Sequence, residues 1–135
     1  MTVEAAFLLV LLVVPLFYLV ATLGTVQAGA YAASAAAREA GRGFVTAQDL
    51  ADAPLRAHAA AGLVLNAHGV DQEASSLVLT CTQDPCLTPG SDVVVESSVT
   101  VVLPLIPDFA RHAVPSAVTL SARHVEPVDE FREGG

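Results

Sequence analysis

The sequence contains no lysine, and its six basic residues face fourteen acidic ones, giving a formal net charge of −8. Such a field repels phosphate backbones, which argues against nucleic-acid partners. Charge is also missing locally: none of the 33 side chains from Ala5 to Ala37 is charged, a run longer than the about 20 residues a helix needs to cross a hydrocarbon core. Signatures of catalysis are missing too, with no G-x-S-x-G, no phosphate-cradling glycine loop and no H-E-x-x-H, so an enzyme is not expected. Cysteine is scarce: only Cys81 and Cys86, with Asp84 and Pro85 between them. A zinc site would need two more ligands, and the four histidines (His58, His68, His112, His124) have neither the spacing nor the clustering to supply them. A redox dithiol usually has a shorter separation. The pair is expected to close a local disulfide in an exported domain, and no metal or cofactor is expected.

What the chain does have is "TVEAAFLLVLLVVPLFYLV", densely apolar from Ala5 to Leu23, followed by "GTVQAGAYAASAAAREAGRG", which is small, mildly polar and strongly helix-forming. These residues predict one helix from near the N-terminus to about Arg42, bent mildly at Pro15 and ended by Gly41 and Gly43. At 1.5 Å per residue it would be roughly 55 Å long, so its second half should project from a bilayer as a stalk. The small residues from Gly24 to Ala37 fit either plain helix propensity or a surface for close helix packing. Through Gly43 the charges of Glu4, Arg38, Glu39 and Arg42 cancel, and the remainder carries the whole acidic excess. The expected division is a transmembrane helix with stalk over 1–43, and a small acidic α+β head with a flexible C-terminal tail over 44–135.

In the head, "TAQDLADAPLRAHAAAGLVLNAHG" predicts a second helix over about Thr46 to Ala67, or from Asp52 as N-cap with Pro54 in its first turn. Leu50, Ala57, Ala61, Val64 and Leu65 would share its apolar face, and Gly69 would close it. Three segments then alternate with period two. Leu77, Leu79 and Cys81 share one face of the first; Val93, Val95, Val99, Val101 and Leu103 of the second; Val118, Leu120 and Ala122 of the third. The turn-rich "CTQDPCLTPG" and the proline-bearing "PLIPDFARHAVP" connect them, which predicts a three-stranded antiparallel meander covered by the helices. The tail "VDEFREGG" reads as polar and loose.

The polar start, the acidic Glu4 ahead of the apolar run, the internal Pro15 and "GAYAASAAAREAGRG" together resemble the TadE-like family of pilin-related proteins from tight-adherence (Tad/Flp) pilus systems. The resemblance is specific over the first 43 residues and architectural beyond them. It implies a minor pilin or pseudopilin held in the bacterial cell membrane with its head outside. It also implies helix packing with other pilin subunits, and partners in an assembly ATPase, platform proteins and a prepilin peptidase. It gives Glu4 the role of neutralising a neighbouring subunit's N-terminal amine, and Pro15 that of softening the helix. Read from the residues alone, Glu4 also fits a carboxylate at the headgroup boundary. No basic residue precedes the apolar run, so orientation rests on the resemblance and the cysteine pair. The alternative reading is a single-pass or secreted accessory domain unrelated to pili, in which "VQAGA" would suit signal peptidase.

Overall fold

The computed structural model describes residues 2–133 and is α+β, with two helices packed on one face of a three-stranded antiparallel sheet. Helix α1 spans Thr2–Val45 and α2 Ala53–Ala67; strands β1, β2 and β3 span Ser75–Cys81, Asp92–Val102 and Ala117–Pro127. The sheet is the expected meander, in the order β1-β2-β3. Leu79 stands opposite Val95, and Val95 opposite His124. Because strand side chains alternate, Val93, Val95, Ser97 and Val99 of β2 all face the helices. The other face is mixed: hydroxyl pairs cross it at Ser76–Ser98 and Thr100–Thr119, and Val78, Val102 and Val125 are exposed on it. Leu103 lies just past β2, where its N–H still donates to the Ser116 carbonyl at 2.9 Å.

The second half of α1 differs from the expected stalk. Gly29, Ala32, Ala33, Ala36, Ala37, Ala40, Gly41 and Phe44 are buried at intervals of three or four residues, which puts them on one helix stripe. They share a single core with Ala53, Ala57, Ala61 and Leu65 of α2 and with the β2 valines. Residues 29–44 are therefore the central helix of the head rather than a projecting rod. The small residues form a packing surface, and it is used inside the chain.

Gly29 and the two glycines expected to stop α1, Gly41 and Gly43, have the same function. A Cβ on Gly29 would lie 2.6 Å from Val101 Cγ1, one on Gly41 3.1 Å from Glu126 Cβ, and one on Gly43 3.0 Å from the Arg56 carbonyl oxygen. They permit backbone approach to the sheet and to α2, so the helix runs past both predicted stops to Val45.

Helix α2 takes the shorter of its two predicted forms. Pro54 occupies the first turn, where its missing N–H would have had no helical acceptor. Asp52 is at the N-cap, but its carboxylate accepts from Arg56 instead of capping a backbone N–H. Leu50 consequently falls outside the helix and is exposed, which corrects its placement on the apolar face. Gly69, at φ +71°, ends the helix as predicted; its N–H reaches Asn66 O at 3.0 Å and that of Val70 reaches Leu65 O at 2.9 Å.

The tail is not loose over its described part. Val128 is buried, its N–H donates to Ser91 O at 2.8 Å, and its carbonyl accepts from Gly90. Arg132 donates to the carbonyls of Val45, Ala47 and Gln48. The last carbonyls of a helix lack intrahelical donors and carry its negative dipole end, so a guanidinium from far along the chain completes α1.

Candidate functional site

Among the described residues nothing covers the first half of α1. None of its most apolar window is buried, and Phe7, Leu12 and Phe17 are 66%, 71% and 73% exposed. Among the described residues this is the one helix long and apolar enough to cross a membrane. Ala5–Leu23 spans about 28 Å at 1.5 Å per residue, close to the roughly 30 Å of a hydrocarbon core. Near the middle of the helix, Thr22 donates its hydroxyl to Tyr18 O at 2.8 Å and Thr25 to Ala21 O at 3.0 Å. Both hydroxyls are thus satisfied without water, as a lipid environment demands.

Glu4 is exposed in the first turn of α1, where the helix N-terminus favours a carboxylate. Pro15 lies about 16 Å further along the axis. It leaves the Leu11 carbonyl without its helical donor, yet α1 continues through it. The cysteines are at the opposite end of the molecule. Cys81 and Cys86 form the expected disulfide, with an S–S distance of 1.97 Å and Cα atoms 5.1 Å apart. It closes the start of the β1–β2 connection, whose Pro85 and Leu87 line one cleft with Gln48 and Arg132 near the C-terminus of α1. Glu4 and Pro15 therefore belong to the free stem and the disulfide to the far corner of the head; the four residues do not form one site. Among the described residues, no group of three or more His, Cys, Asp and Glu side chains is placed to hold a metal ion.

Between these ends lies the junction of stem and head. Gly29 sits against Val101 and Leu120, whereas Gly41 sits against Val95 and Glu126. β2 therefore runs antiparallel to α1, and its C-terminal end points toward the apolar half of the helix. Thr25 and Val102 line a common cleft of about 420 Å³ with His68 and Asp71. The connection 103–116 consequently leaves the sheet on the stem side of the head. Its Leu105 and Phe109 are 77% and 86% exposed. By its prolines alone this segment is no more than a break in the ladder. Its signal was the apolar residues set between Pro104, Pro107 and Pro115, which a turn needed only for reversal would not require.

Comparison of the chain with protein families, curated proteins and solved structures finds no match.

Proposed function

We propose that the chain is a non-enzymatic minor pilin or pseudopilin of the TadE-like kind. It is anchored in the bacterial cell membrane by the first half of α1, and it assembles with other pilin subunits through that helix. The observation that carries this reading is the continuity of α1: one helix has an entirely unburied apolar half and a small-residue half that forms the core of the head. A stem so joined transmits its position directly to the head, as a subunit that stacks by its helix requires. The head lies outside the cell in this reading, which the disulfide supports. An assembly ATPase with platform proteins and a prepilin peptidase would be its machinery.

The same continuity weighs against the signal-peptide form of the alternative. Cleavage within "VQAGA" would cut α1 beside Gly29, where it already packs on Val101 and Leu120.

The test is Glu4→Gln. An unpaired carboxylate at membrane depth is costly, while a paired one is less so. Removal of the charge should leave membrane-fraction abundance intact and reduce co-purification with partner pilins. Glu4→Ala should behave alike, and Glu4→Asp should retain part of the association. Undiminished co-purification of Glu4→Gln would make Glu4 a passive headgroup-boundary residue and remove the pairing mechanism.

A further inference from the structure

We infer that the connection 103–116 is a second membrane contact, an interfacial loop that seats its exposed apolar residues, Leu105 and Phe109 foremost, in the headgroup region beside the point where α1 leaves the bilayer, while Ile106 is buried. The inference rests on the anchor reading of α1 and adds a lipid-binding element of the head itself. Three observations carry it.

The first is level. Val101 packs against Gly29. A strand advances about 3.3 Å per residue and a helix 1.5 Å, so Leu103 comes level with about Thr25. The Leu103–Ser116 hydrogen bond closes the ladder there, and residues 104–115 lie beyond it. The apolar run of α1 ends at Leu23, so the loop departs at the depth where the helix enters the interface.

The second is exposure. Val102, Leu105, Phe109 and Val114 are all exposed large apolar side chains at this end of the head. Leu105 is also the one non-glycine residue with positive φ among the described residues, at +62°, a conformation that a bulky side chain rarely adopts. The segment thus holds an apolar side chain outward in an unfavourable backbone state. Its three prolines limit the freedom that binding would otherwise remove.

The third is charge. The head is acidic and would be repelled by anionic lipid. In 103–116, however, the charged residues are Asp108 and Arg111, which pair at 3.2 Å, with His112 beside them. The loop is therefore close to neutral, and its arginine can extend toward phosphates while Phe109 enters the interface.

The experiment uses the full chain in vesicles of phosphatidylcholine and phosphatidylglycerol, without reductant so that the native disulfide stays closed. An environment-sensitive fluorophore is attached at Ala113→Cys, Leu12→Cys or Phe131→Cys in turn. The label at 113 should emit to the blue of the label at 131 and be quenched by lipids brominated near the top of the acyl chain. The label at 12 should be quenched by deeply brominated lipid, and the label at 131 by neither. Adding Phe109→Glu, at an exposed site that does not hold the fold together, should return the 113 label to its aqueous emission. A water-like label at 113 with a quenched label at 12 would overturn the loop contact and leave the anchor standing. An unquenched label at 12 would overturn both. A 113 signal that grows with the protein-to-lipid ratio would mean that a second copy of the chain covers the loop, which also overturns the inference.

Discussion

The two halves of α1 are equally helical and have opposite surroundings. Between Ala5 and Leu23 the side chains are mostly large and apolar, and none of the most apolar window is buried; between Gly29 and Phe44 the inward residues are almost all Ala or Gly, and they are buried. Hydrophobicity alone would have assigned the first half to the core. Side-chain size decides instead. A helix with Leu, Val and Phe on every side has no narrow face to set against a sheet and is suited to an apolar solvent. A helix with Gly and Ala at every third or fourth place can bring its backbone close to β2, β3 and α2, and gains its stability from that approach.

That contrast is most sharply broken by exchanging the two kinds of residue. Ala36→Leu places a large side chain where there is no exposed surface at all. The head should lose about 1–3 kcal/mol or more, since overpacking a close-packed interior forces neighbours off their rotamers. Leu12→Ala, on the unburied half, should leave head stability unchanged. Urea unfolding in micelles, followed by circular dichroism, reads both. Equal stability of Ala36→Leu and the parent would mean that the small-residue stripe is not the core of the head.

The far corner of the head sharpens the comparison, because there the buried half of α1 ends beside a disulfide-closed loop and under the guanidinium of Arg132. Reduction of Cys81–Cys86 opens a short loop and should cost about 2 kcal/mol by the chain-entropy estimate. Freshly isolated protein should resist alkylation until reduced; free thiols at that stage would contradict the disulfide and the exported head. Arg132→Gln removes charged donors from the carbonyl of Val45, which ends α1, and from those of Ala47 and Gln48 just beyond it. A loss of about 1–2 kcal/mol is expected, with faster proteolysis of the tail after Val128. Unchanged cleavage would show that the tail is held by Val128 alone.

How much of this was legible depended on the range of the interaction. The strands were read correctly from alternation, since Val93, Val95 and Val99 announce a buried face with no knowledge of the partner. Helix α1 was legible as a helix for the same local reason. Its packing was not, because alanine that favours a helix and alanine that lets one approach a sheet are the same letter. Gly41 and Gly43 were read as stops, a sound local inference that the nearness of Glu126 and of α2 overrides. Arg132 was invisible as a cap because its acceptors at Val45 and Ala47 lie 87 and 85 positions away. Glu4 and Pro15 are legible as residues of the stem, while the exposure of Leu105 and Phe109 is not, because prolines dominate the pattern of their segment.

The smallest effect should have the opposite sign. Ser97 faces α1 in the middle of β2, between Val95 and Val99, and is 1% exposed. Its hydroxyl has no hydrogen-bond partner among the described residues. A valine there would match its neighbours in chemistry but not in the space left by an alanine-rich helix, so the position is held to a small side chain and serine meets that need at the cost of a buried hydroxyl. Ser97→Ala keeps the volume and removes the unmet polar group, whose desolvation opposes folding by about 1–3 kcal/mol. Part of that is offset by the contacts the oxygen made, so a gain of about 1 kcal/mol is expected in the same urea titration. Ser97→Val should instead destabilise, because the added methyl groups meet the helix. If Ser97→Ala lost stability, the hydroxyl would have a partner in solution, such as a buried water, and the interface between α1 and the sheet would be less dry than its alanines imply.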